Sequence, residues 1–98
     1  MKAYRDFVKE LVRDSSEATE YLTAALEDYE VDGNLPAFLK AIRTVVDAQG
    51  GITKLAEKTN LNRQHLYRSL SEDGNPTIKT LDAILHALGL RLTIIKAS

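Results

Sequence analysis

The sequence predicts an all-α bundle of five to six helices around one shared core, closed by a short C-terminal β-strand. Three observations carry this. Apolar residues recur at helical spacing from Tyr4 to Leu88. The breaks between these runs are short polar or glycine clusters, Asp14-Ser15-Ser16, Asp32-Gly33-Asn34, Gly50-Gly51 and Glu72-Asp73-Gly74-Asn75-Pro76. The period lapses only at Leu90-Arg91-Leu92-Thr93-Ile94-Ile95-Lys96. With 98 residues, the chain has enough apolar surface for one core and too little for two.

Taken in order, Tyr4, Phe7, Val8, Leu11 and Val12 follow an amphipathic helix that the Asp14-Ser15-Ser16 cluster interrupts. Ser15 or Ser16 is expected to cap a second helix with Ala18, Tyr21, Leu22, Ala25, Leu26 and Tyr29 along one side. Asn34 as cap and Pro36 in the first turn open a third helix, whose stripe is Phe38, Leu39, Ile42, Val45 and Val46. Gly50-Gly51 stops it. After the EDGNP turn, Thr77 starts a helix through Ile78, Leu81, Ile84, Leu85 and Leu88 to Gly89. Leu90, Leu92 and Ile94 then alternate with Arg91, Thr93 and Ile95, and β-branched residues dominate, which predicts a strand. Such a strand would pair outside its own helical domain, with a second subunit or a partner edge; the alternative is a tail packed loosely over the core.

Between the third and last helices, Ile52 to Ser71 reads as two short helices on either side of a tight turn, the spacing of a helix-turn-helix. Leu55, Leu61, Leu66 and Leu70 hold it together, and Ala56 permits close approach of the two helices. Asn60 suits the left-handed backbone of the turn, and Asn62 caps the second helix. Arg63, Gln64, Tyr67 and Arg68 are left pointing outward, with Ser71 at the end.

Charge is divided unevenly. Residues 1–33 hold nine acids against four bases, whereas residues 34–98 hold nine bases against five acids. The expected organisation is therefore an acidic region, 1–33, for partner or dimer contacts, and a basic helix-turn-helix region with the C-terminal strand, 34–98. The absence of cysteine excludes disulfides and thiolate metal sites. No stretch resembles a signal peptide or a membrane span, so the expectation is a cytoplasmic protein without membrane contact.

The segments SSEATEYLTAALED, FLKAIRTVVDAQGGITKLAEKTNLNRQHLYRSLS and GNPTIKTLDAILHALGLRL together resemble the antidote proteins of toxin–antitoxin addiction modules, the HigA-like group of helix-turn-helix (Xre/Cro-like) antitoxins. Asn60 stands where a turn glycine is commoner, and Ser69 where many helix-turn-helix proteins have an aliphatic residue. The resemblance implies a lambda-repressor-like fold and a small bacterial dimer that represses its own operon and neutralises a RelE-like toxin encoded beside it.

On this reading the second helix of the motif enters the major groove of double-stranded DNA, with Arg63, Gln64, Tyr67 and Arg68 as base-reading candidates. Tyr67 packing against the domain rim is the alternative for that residue. Phosphate contacts are expected from Thr53, Asn62, Asn75, Thr77 and Lys79, the last three around a helix start that favours anions. A homodimer, first through the C-terminal strand, would place two reading helices about 34 Å apart on an inverted-repeat operator. No cofactor or metal is expected. Catalysis has no support: His65 and His86 are the only histidines, His86 falls in an apolar stripe, and neither a metal-ligand spacing nor a nucleophile motif is present. A stand-alone regulator, or an interaction module with a vestigial helix-turn-helix, are the remaining alternatives.

Overall fold

The apolar stripe of the third helix is the one around which the others close. The computed structural model describes residues 4–98, apart from the side chain of Arg5. It contains α1 (Tyr4–Leu11), α2 (Ser15–Asp32), α3 (Leu35–Ala48), α4 (Gly51–Thr59), α5 (Arg63–Ser69) and α6 (Ile78–Ala87). α3 packs against α1, α2 and α4, and α4 in turn packs against α5 and α6. Phe38, Leu39, Ile42, Val45 and Val46 are all buried, as their spacing predicts, and they join Val8, Val12, Leu22, Leu55, Leu66, Leu70, Ile84 and Leu88 in a single core.

Local chemistry sets the helix ends. Asn34 accepts from the Ala37 amide at 3.2 Å and Pro36 occupies the first turn of α3. Gly33 closes α2 in the left-handed conformation, its N–H donating to the Tyr29 carbonyl at 2.7 Å. The cap of α2 is Asp14, which accepts from the Glu17 amide at 3.0 Å, rather than Ser15 or Ser16. A carboxylate at the positive helix end supplies both the hydrogen bond and the charge. At the other end of the chain, Gly89 takes φ 84° and the Leu90 amide reaches back to the Leu85 carbonyl at 2.8 Å, ending α6 in a Schellman arrangement.

Three further expectations are corrected. The C-terminal β-strand is not formed: residues 90–98 run without secondary structure, and among the described residues 91–98 make no hydrogen bond to the rest of the chain. β-propensity needs a neighbouring strand to become structure, and an all-helical chain offers none. Of the apolar residues predicted for α1, Val8 and, just past its end, Val12 reach the core, whereas Tyr4, Phe7 and Leu11 lie exposed. Ile78, included in the stripe of the last helix, is 76% exposed because it stands in the first turn of α6, ahead of the packed part of the helix.

Candidate nucleic-acid interface

The turn between α4 and α5 is built from side chains that replace backbone partners. α4 ends at Thr59 because Asn60 turns to φ 60°, ψ 20°, the left-handed region, with its N–H donating to the Ala56 carbonyl at 3.0 Å. The Thr59 hydroxyl donates to the Leu55 carbonyl at 2.9 Å and accepts from the Leu61 amide at 3.2 Å, which pins the turn to the helix before it. Asn62 then caps α5, its side-chain oxygen accepting from the His65 amide at 2.7 Å. Both asparagine roles follow the sequence reading.

Leu66 and Leu70 anchor α5 in the core, with at most 1% of either exposed. Arg63, Gln64, Tyr67 and Arg68 are all exposed, Tyr67 to 60%; at helical spacing Gln64 and Arg68 stand opposite Leu66, while Arg63 and Tyr67 flank the buried side. Arg63 and Thr53, expected to contact bases and phosphate respectively, come together: the guanidinium Nη1 donates to the threonine hydroxyl at 3.2 Å. This contact steadies a long side chain that would otherwise sample many rotamers.

The phosphate candidates fall into two groups. Thr53 and Asn62 flank the start of α5, while Asn75, Thr77 and Lys79 cluster at the start of α6, all exposed. The Thr77 hydroxyl is committed to its own helix, accepting from the Thr80 amide and donating to the Thr80 hydroxyl, both at 3.2 Å. What the α6 start offers an anion is its free backbone N–H groups and the Lys79 ammonium.

Arg43, Gly74 and Thr80 are positioning residues that the sequence reading does not single out, and His65 joins them. The Arg43 guanidinium on α3 donates to the Leu70 carbonyl and so ties the end of α5 to the central helix. Gly74 lies so close behind α5 that a Cβ there would stand 2.3 Å from the Ser69 carbonyl oxygen. His65, half-buried, sets its Nε2 3.4 Å from the hydroxyl of Thr80, the buried polar residue of α6. Through Thr80 and Thr77 the reading candidate α5 is thus joined to the phosphate candidate at α6. A glycine in a turn and a polar residue in an apolar stripe were the available signals. His86, expected to be partly buried in its stripe, is exposed, because it sits on the side of α6 away from Ile84, Leu85 and Leu88. Among the described residues no cluster of His, Cys, Asp or Glu can hold a metal, and no helix is long and apolar enough to cross a membrane.

The chain is similar to an uncharacterized protein of Haemophilus influenzae strain Rd, with 29% identity over 91 residues that cover 92% of this chain and 89% of that protein. No solved structure matches it significantly. The sequence profile of one family, described as "Probable addiction module antidote protein", matches residues 4–96. The described helices all fall within that match, and the chain belongs to this family of addiction module antidotes.

Proposed function

We propose that the chain is a HigA-like, DNA-binding antitoxin of the bacterial cytoplasm that neutralises a RelE-like toxin and, as a homodimer, represses its own operon. Family membership supplies the antidote role and, with it, a toxin partner. The observation that carries the DNA-binding part is the exposure of Arg63, Gln64, Tyr67 and Arg68 on a helix that Leu66 and Leu70 anchor in the core. The pair α4–α5 acts as a helix-turn-helix of the Xre/Cro kind, and α5 lies in the major groove.

Arginine bonds guanine O6 and N7 together, and glutamine bonds adenine N6 and N7, so Arg63 and Gln64 each give about 1–3 kcal/mol of base discrimination. Thr53, Asn62, Asn75, Lys79 and the backbone at Thr77 hold phosphates and fix the docking register. Residues 34–98 therefore serve DNA, and residues 1–33 serve the toxin. The outer side of α2 carries Glu17, Glu20, Glu27 and Asp28 beside Val31, which is 89% exposed. α1 adds the exposed stripe Tyr4, Phe7 and Leu11. Acidic side chains around apolar anchors suit the basic surface of an RNA-cleaving toxin.

The test is a mobility shift on the promoter of the chain's own gene. Arg63→Ala combined with Arg68→Ala is expected to abolish the shift while circular dichroism and thermal unfolding stay unchanged, since both side chains are exposed. A shift of undiminished affinity would remove the reading face from the function.

A further inference from the structure

Beside the C-terminal segment runs an open apolar groove of about 410 Å³, walled by Leu22 and Leu26 of α2, Phe38 of α3, Leu81 and Leu85 of α6, and Leu92. The same segment that forms one lip of this groove then leaves it. Ile94 is 97% exposed and Ile95 83% exposed, two adjacent isoleucines with nothing to cover them. Free surfaces rarely leave a groove and a pair of large apolar side chains side by side unless another molecule covers both.

We infer that the groove receives Ile94 and Ile95 of a second copy of this chain, so that two copies exchange their C-terminal segments side chain into groove. Contiguity argues for a second copy. Because tail and groove adjoin, a two-fold axis near Leu92 brings each tail over the other groove, and one contact made twice closes the assembly. Charge agrees with this occupant. Glu30, four residues after Leu26, puts an acid on the groove side of α2, whereas the segment after Asp82 contains Arg91 and Lys96 and no acidic residue. At 100° per residue, Thr19, Leu22, Thr23 and Leu26 share the groove side of α2, apart from the outer acidic side assigned to the toxin. One helix can then serve both partners at once. Gly89 fixes how the tail leaves α6: its φ is 84°, and a Cβ there would stand 2.5 Å from the Ser15 hydroxyl oxygen.

This rests on the homodimer of the proposed function, and the experiment separates the two. Sedimentation velocity on the full chain should show a dimer, and Ile94→Asp with Ile95→Asp, or Leu26→Asp alone, should raise its dissociation constant at least tenfold with the helical spectrum retained. Because the chain has no cysteine, introduced thiols are unique. Mixing Thr23→Cys with Ile95→Cys under mild oxidation should give a disulfide between the two different variants. A monomeric wild-type chain overturns the inference, as does a dimer untouched by both sets of aspartates, or cross-linking of Ile95→Cys only to itself. If the exchange holds while the wild-type chain fails to shift its promoter, the DNA reading falls and the dimer surface stands. If the aspartate variants stay dimeric and still shift the promoter, the reverse applies.

Discussion

Replacing Gly74 by alanine should damage this fold more than replacing any glycine that merely has an unusual backbone. Gly74 follows α5, and its N–H donates to the Ser71 carbonyl at 2.9 Å. A Cβ built on it meets the Ser69 carbonyl oxygen at 2.3 Å, the Ser69 carbonyl carbon at 2.7 Å and the Arg68 carbonyl oxygen at 2.8 Å. Ordinary contact begins near 3.4 Å, so the turn or the last residues of α5 must move by about 1 Å, and the obstacles are all backbone. Overpacking costs about 1–3 kcal/mol, and with no flexible side chain to yield, the upper end, about 3 kcal/mol, is expected here. For a domain of this size that lowers the melting temperature by about 12–24 °C. Gly33→Ala is the control: φ is 67°, but nothing lies within 4 Å of the added Cβ. Its cost is the left-handed backbone alone, about 1–2 kcal/mol. Thermal unfolding of both variants by circular dichroism decides the matter. A Gly74→Ala protein that melts within about 4 °C of the parent, or above Gly33→Ala, would refute the steric argument.

Other outcomes follow from the same contacts. Leu66→Ala, at a site with no exposed surface, should cost about 2–5 kcal/mol in urea unfolding. Asn62→Ala removes the cap of α5 and should cost about 1 kcal/mol in the same assay. Arg43→Met keeps the apolar stem and loses the bond to the Leu70 carbonyl, for about 1 kcal/mol, with the largest rise in amide exchange at the end of α5. On the proposed DNA reading, log affinity against log salt should fall with a slope of about −0.9 for each phosphate contacted, and Lys79→Ala should reduce its magnitude by about one contact.

Features fixed by neighbours in sequence were the legible ones. The caps Asn34, Asn62 and Thr77 and the left-handed Asn60 depend on residues within four positions, and each was readable from spacing. The stripe of α3 was equally readable because that helix is covered on several sides. Apart from the α2 cap, which falls to the neighbouring Asp14, what failed depended on distant partners. Tyr4, Phe7 and Leu11 have the right period, yet they stay exposed on α1. The β-branched run at Thr93, Ile94 and Ile95 has strand propensity and no strand to join. For the candidate site, the exposed residues of α5 could be read directly, whereas Arg43 and Thr80 act across 27 and 15 residues, which periodicity does not span, and Gly74 depends on how its turn folds back against the end of α5.

The ring of His65 bridges α5 and α6, and the only other histidine, His86, stands in solvent on α6. Two imidazoles in such different settings give a proton NMR spectrum with just two sets of imidazole resonances, one an internal reference and the other a gauge of the spacing between α5 and the start of α6. Operator or toxin can be titrated into unlabelled protein while that spacing is followed, with no dye and no substitution. A movement of the His65 lines alone would locate the response at this joint, and movement of both would mean that α6 as a whole had changed its surroundings.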